Sequence, residues 1–191
     1  MLGNPEREQI ARLWTRKLAQ DAQGLAQSLR QRNLEPATAE FLCALAEGIR
    51  AKRILEIGGS SGLSTIALAS AARETSGHVT SVEIEPERQA EARQTLADLG
   101  LAQYVEFILA DAASILPTTG EMDLVFIDCE KDDYVRFFDM LRTSPGGVVV
   151  ADNIISHSMT EYVNHIRARP GLRSLTLPIG KGIELTRFPG S

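Results

Sequence analysis

Four residues near the middle of the chain are the best suited to chemistry: Asp128, Lys131, Asp152 and Asn153. Asp128 follows the apolar run Leu124-Val125-Phe126-Ile127, and Asp152-Asn153 follows Val148-Val149-Val150-Ala151. If both runs are neighbouring strands, their ends bring two carboxylates and an amide oxygen together. Hard oxygens at an open site suit magnesium, manganese or calcium, with water or substrate completing the shell. The plain alternative is that the two acids are separate caps or loop acids, with Lys131 as their counter-charge in place of a metal. Lys131 has two readings of its own. As a base it takes a proton from an acceptor hydroxyl beside a dication. Otherwise it is a surface or ion-paired lysine.

A second set lies upstream. The run Leu55-Glu56-Ile57-Gly58-Gly59-Ser60-Ser61-Gly62-Leu63-Ser64-Thr65 reads as a strand, a glycine-rich turn and a helix start. Such a turn lets backbone approach a ligand closely, and the free N–H groups of the helix suit an anion. That anion is a dinucleotide pyrophosphate or an amino-acid carboxylate. The glycines are spaced G-G-x-x-G, which departs from the dinucleotide pattern G-x-G-x-x-G. Glu83 ends the next strand, where an acid can accept both hydroxyls of a ribose. Ala110-Asp111 end the third strand and are placed to meet a purine edge; Asp111 also reads as a helix N-cap.

These residues need a scaffold of strands and helices in alternation. Strands are expected at 53–57, 79–83, 104–109, 122–127 and 147–151, from apolar runs bounded by turn residues. Helices are expected at 61–75, 86–99, 132–142 and 158–169, with a short helical piece at 112–116. Tyr134, Phe137, Phe138 and Leu141 point inward from one of them. Gly180-Lys181-Gly182 joins two last strands, 172–178 and 183–188, as a hairpin. Before all this, apolar spacing predicts a helix over 5–32, including Leu25 and Leu29, which Gly24 weakens or splits, and a second helix opened by Pro36. Alternation implies right-handed crossovers and an open, doubly wound sheet, which binds ligands at the carboxyl ends of its strands. Every residue singled out above falls at such an end.

Composition excludes several other classes. The 191 residues, 43% hydrophobic and 24% charged, suit one ordinary α/β domain. Residues 1–50 read as helices capping the core, and 51–191 as the core itself. Acidity concentrates in residues 51–155, with 17 acidic against 8 basic groups, which favours a cation and leaves no clear footprint for nucleic acid. No apolar run is long enough to span a bilayer, and the charged N-terminus lacks a signal-peptide stretch, so a cytoplasmic protein is expected. Cys43 and Cys129 are too few for a disulfide framework.

Taken in order, these segments resemble the cation-dependent O-methyltransferases, the group of catechol and caffeoyl-CoA O-methyltransferases and their bacterial relatives. The matching stretches are Leu55–Thr65, Val82-Glu83-Ile84, Phe126-Ile127-Asp128 with Lys131 and Tyr134, and Pro145-Gly146-Gly147 through Asn153. The resemblance covers about Pro36 to Phe188. It implies a Rossmann-like sheet of seven strands with the last one antiparallel, and S-adenosylmethionine as methyl donor. It implies that Glu56, Gly58, Ser60 and Ser64 surround the methionine moiety, that Glu83 holds the ribose, and that Ala110 and Asp111 border the adenine. Asp128 would also face the cofactor. Asp128, Asp152 and Asn153 would bind the divalent cation, magnesium first, and Lys131 would act as base on a small hydroxylated, catechol-like acceptor. A homodimer is implied too.

The chain departs from the family pattern in places. The segment after Asn153 is short, Cys129 stands where Ala or His is frequent, and the region before Pro36 is brief, so the acceptor pocket is expected to be open. His157 is near enough in sequence to reach the site, although a loop histidine is usually only solvated. Glu184 reads as an outward strand residue, with a place beside the acceptor as the alternative. Rival functions are a tRNA hydroxyuridine O-methyltransferase, supported by the weakly basic tail, and a non-catalytic cofactor-binding or dimerisation module, against which the intact acceptor-side residues argue. A dinucleotide oxidoreductase fits the glycine spacing poorly.

Overall fold

The computed structural model describes residues 1–26 and 31–190. Seven strands form one sheet in the order β3-β2-β1-β4-β5-β7-β6. They are β1 (Arg53–Ile57), β2 (His78–Glu83), β3 (Val105–Leu109), β4 (Met122–Ile127), β5 (Thr143–Ala151), β6 (Arg173–Leu177) and β7 (Ile183–Arg187). The first five pair in parallel, and β7 runs antiparallel to both β5 and β6. The expected doubly wound sheet with an antiparallel last strand is therefore present. Strand order reverses direction between β1 and β4, which places the switch point there.

Period-two alternation builds the two faces of this sheet. Ile54, Leu124, Phe126, Val148 and Val150 pack into one apolar layer beneath α1 (Asn4–Ala22), α2 (Pro36–Gly48), α3 (Leu63–Thr75) and α4 (Pro86–Asp98). Leu55, Ile57, Val125, Ile127, Val149 and Ala151 pack into the other, against α6 (Tyr134–Met140) and α7 (Thr160–Arg167), with α5 (Ala112–Ile115) at its edge. A strand buried on both faces must be apolar at consecutive positions, which is why Leu124 to Ile127 all have no exposed surface. Each such side chain contributes ~1.5–3 kcal/mol through burial.

The ends of the strands differ from one another. At the amino edge, Asp123 accepts the backbone N–H groups of Lys52 (3.0 Å) and Arg53 (2.9 Å), the Arg53 guanidinium (3.1 Å) and the Ser144 hydroxyl (2.5 Å). Burial alone would raise its pKa, but these donors outweigh burial and hold it at about 2. At the carboxyl edge a row of backbone bonds continues past the strands. Ala110 N–H donates to Glu83 O, Gly58 to Val82 O, Asp128 to Ile57 O and Asp152 to Ile127 O, at 2.9–3.1 Å. The row sets the candidate site residues side by side.

Several expected boundaries are corrected. The first helix stops at Ala22 and does not reach 32. Leu25 N–H bonds to Gln20 O and Gly24 N–H to Asp21 O, a Schellman closure with left-handed Gly24. Leu25 is therefore outside the helix, and Leu29 lies outside the described residues. The helix expected at 132–142 begins at Tyr134, after a single 3-10 turn over Lys131–Asp133, and ends at Met140. Strand β5 begins at Thr143, four residues earlier than expected, because the clamp at Asp123 and Ser144 holds its start against β4.

Candidate active site

Two cavities open at the carboxyl edge, and Arg32, Asp128 and Cys129 line both. The first, about 190 Å³, lies over β1, β2 and β3 and is edged by Gly58, Ser60, Glu83, Ala110 and Asp111. The second, about 360 Å³, lies over β4 and β5 and is edged by Lys131, Asp152, Asn153, His157 and Lys181. The switch point runs between them.

The first cavity is polar where its backbone turns. Gly58 takes φ +93°, and a side chain there would run into the Asp128 carbonyl oxygen. Only glycine lets β1 and β4 meet this closely. The Glu83 carboxylate accepts three backbone N–H groups, from Ser60 (2.8 Å), Ile84 (2.9 Å) and Glu85 (3.0 Å). It is thereby fixed at the cavity wall, and a carboxylate with about four acceptor sites keeps capacity for a ligand hydroxyl. Asp111 caps α5 by accepting Ala113 N–H at 2.9 Å and also lines the cavity, so its two expected roles are compatible. Glu56 and Ser64 sit behind the glycine turn and do not line either cavity. Glu56 is fully buried and accepts the hydroxyls of Thr65 (2.6 Å) and Ser81 (2.5 Å). Burial raises its pKa, and hydrogen bonds from Ser64, Ser81 and Thr65 oppose the rise.

The second cavity has a different electrostatic character. Asn153 takes a left-handed φ of +64° and donates its amide to Asp128 Oδ1 at 2.7 Å. Asp152 is 1% exposed, and its Oδ1 has no hydrogen-bond partner. Its carbonyl accepts the Tyr134 hydroxyl at 3.3 Å. Burial pushes Asp152 up to about 6. Burial and the neighbouring Asp152 push Asp128 well above the ordinary carboxylate range. Neither carboxylate forms an ion pair with Lys or Arg among the described residues. Lys131 is lowered, first by burial and then by Arg32. Among the described residues no group of three or more His, Cys, Asp or Glu is gathered for a metal. The set here is two carboxylates and one amide. Arg32 and Lys181 act on these acids only through space, and two crowded acids without an ion pair, one with an orphaned oxygen, fit a hard cation.

The O-methyltransferase family model matches residues 16–188. This chain belongs to the O-methyltransferase family. It is 41% identical over 120 residues to a catechol O-methyltransferase of Mycobacterium tuberculosis, covering 61% of this chain and 54% of that protein. It is 36% identical over 130 residues to a catechol O-methyltransferase of Niastella koreensis, covering 64% and 58%. The chain thus spans little more than half the length of the curated relatives it matches. Among solved structures it resembles cofactor-bound Rv0187 from MTB, at 30% identity and a TM-score of 0.80, covering 94% of this chain and 90% of that one. It also resembles the O-methyltransferase TomG from Streptomyces achromogenes in complex with SAM, at 26% identity and a TM-score of 0.80, covering 93% and 89%.

The site of this O-methyltransferase family member also includes residues outside the motifs. Residues 31–33 cross the glycine turn: Arg32 N–H donates to Ser60 Oγ (3.3 Å), and Ser61 donates to Asn33 Oδ1 (3.0 Å). Arg32 is ion-paired with Glu130 and so joins this segment to the loop after β4. Lys17, on α1, also reaches the second cavity and bonds to Asp21 at 2.5 Å. The i,i+4 pair of Lys17 and Asp21 was readable as a charged helix face, but not as a cavity wall. His157 does reach the cavity, with Nδ1 2.7 Å from Ser156 Oγ. Burial and the Asp128 charge push the Cys129 thiol up, away from reactivity. Glu184 is neither outward nor beside the acceptor. It has no exposed surface, and Arg167, Ser174 and Thr176 all donate to it between β6, β7 and α7. No helix of the described residues is long and apolar enough to cross a membrane.

Proposed function

We propose that this chain transfers a methyl group from S-adenosylmethionine to one oxygen of a catechol-like vicinal diol, assisted by a divalent cation. The observation that carries this reading is the wall shared by two cavities at the switch point, with Asp128 in it. A donor on one side and an acceptor on the other would meet there.

Gly58 and Ser60 would border the methionine end of the donor, Glu83 would accept from the ribose, and Ala110 and Asp111 would border the adenine. Glu56 and Ser64 support the turn from behind. Asp128, Asp152 and Asn153 would hold the cation, magnesium first; when bound, it would neutralise the two acids and lower the pKa of an acceptor hydroxyl. Lys131, whose ammonium form burial and Arg32 disfavour, takes the proton from that hydroxyl. The oxygen then attacks the sulfonium methyl. An O–CH3 bond forms, the S–CH3 bond breaks, and its electron pair leaves with sulfur as a neutral thioether. The remaining contribution of the protein is to align the two partners. The same reading includes a homodimer, which sedimentation velocity tests.

The deciding experiment incubates the protein with S-adenosylmethionine, magnesium and catechol and measures methylated diol by mass spectrometry. Monomethyl ether that disappears on chelation and returns with magnesium is the expected result. Undiminished product in excess chelator would reject the cation, and absence of product from any vicinal diol would reject the acceptor.

A further inference from the structure

The acceptor-side cavity is polar almost throughout. Leu34 and Cys129 are its apolar members, and no Phe, Tyr or Trp lines it among the described residues. Neutral aromatic acceptors gain most from apolar walls, and this cavity offers few. Four cations reach it instead: Lys17, Arg32, Lys131 and Lys181. Lys17 is engaged by Asp21, Arg32 by Glu130, and Lys131 is the base. Lys181 is left. It has the longest ion pair of these, with Glu35 Oε1 at 3.9 Å and beyond hydrogen-bonding reach, and it acts on Asp128 and Asp152 only through space, with no ion pair to either.

The backbone under Lys181 is firmly held. Gly182 N–H closes the hairpin on Ile179 O at 2.9 Å. Lys181 O accepts the N–H groups of both Ile155 and Ser156 at 3.1 Å, and Gly182 O accepts that of Ile154 at 2.8 Å. Gly182 stands at φ +88°, where a side chain would collide with Ile155. The turn between β6 and β7 is thus docked on the short segment after Asn153, and it presents one ammonium to the cavity.

We infer that Lys181 recognises an anionic substituent on the acceptor, so that the preferred substrates are vicinal diphenols carrying a carboxylate or a phosphate. This rests on the acceptor site proposed above. Lys17, Arg32, Lys131 and Lys181 all line this one cavity, and a substrate anion would lessen the repulsion among them. The competing role for Lys181 is counter-charge to Asp128 and Asp152, and the two roles separate experimentally.

The test measures kcat/KM, and calorimetric affinity with magnesium present, for catechol, 3,4-dihydroxybenzoate and 3,4-dihydroxyphenyl phosphate. Wild type is expected to favour the acidic diols by ~10–100-fold, as for a charge-assisted hydrogen bond. Lys181→Met should abolish that preference through KM, with little change in kcat, and Lys181→Arg should restore most of it. The larger preference distinguishes carboxylate from phosphate. Equal handling of neutral and acidic diols by wild type would overturn the inference. So would a Lys181→Met variant that weakens all three acceptors alike, or that shifts magnesium affinity while the preference stays. If wild type methylates none of them, the proposed function fails, and the calorimetric comparison of acidic with neutral diols still decides the role of Lys181.

Discussion

The two halves of the carboxyl edge treat their acids in opposite ways. Over β2, Glu83 is held by three backbone N–H groups that lie within the chain and keeps room for one further donor. Over β4 and β5, Asp128 and Asp152 crowd each other, and Asp152 Oδ1 has no partner. The acid at the wall of the first cavity is held by donors within the chain, although Glu56 behind it keeps one unpartnered oxygen, while the second cavity has an orphaned carboxylate oxygen beside open space. On the proposed function, cofactor recognition would be built into the fold, and acceptor chemistry would depend on a guest charge.

The sharpest way to break this comparison is at Lys131. Lys131→Ala should lower kcat by ~10²–10⁴-fold, the usual contribution of a positioned base. Equilibrium binding of S-adenosylmethionine should stay within about 2-fold, because Lys131 lines only the acceptor-side cavity. Loss of donor binding in the same variant would show that the halves are not separate. Next in size, Glu83→Gln should weaken calorimetric S-adenosylmethionine affinity ~10–100-fold, since an amide replaces a carboxylate that accepts three donors. Methyl transfer at saturating donor should suffer less.

Asp152→Asn should sharpen the contrast from the other direction. Removing one of two crowded acids is expected to stabilise the metal-free protein by ~1–2 kcal/mol, or a few degrees in Tm, while abolishing magnesium-dependent turnover. Calorimetric scans with and without magnesium would read both effects. A lower Tm without metal would mean that Asp152 is already satisfied.

The smallest effect belongs to the amino edge, which serves as the control. Asp123 is depressed to about 2 in the folded chain, below its unfolded value of about 4. Its stabilisation is therefore present above about pH 4 and is lost as pH falls from there toward 2. Asp123→Asn should cost ~1 kcal/mol near neutrality, and the deficit should shrink across that window in urea titrations. A deficit that stays constant with pH would place the contribution in packing instead of charge.

Much of this was legible because strands buried on both faces must be written as apolar runs. Leu124 to Ile127 and Val148 to Ala151 therefore announced β4 and β5, and the residues following them had to lie at the carboxyl edge. The glycine turn was legible for a steric reason, seen at Gly58 against Asp128. Arg32 and Lys181 were not legible as site residues. They reach the cavities through tertiary packing of residues 31–33 on the turn and of a hairpin on the 154–156 segment, and neither arrangement has a local periodicity. Glu184 misled for a related reason. An acid on a late strand suggests solvent, but Arg167 from α7 folds over it and supplies the charge. The first helix was overextended because apolar spacing continues past Gly24, whereas the backbone closes there.

The alternation in β4 has one last consequence. Its odd and even positions feed two separate apolar layers, and the same count decides which residue arrives at the tip. Inserting one amino acid into this strand would exchange the layers and deliver Ile127 where Asp128 now stands. Mutational drift that lengthens or shortens β4 by a single position thus destroys folding and reactivity together, so the spacing between Asp123 and Asp128 should be far less tolerant of change than the identity of any one apolar residue between them.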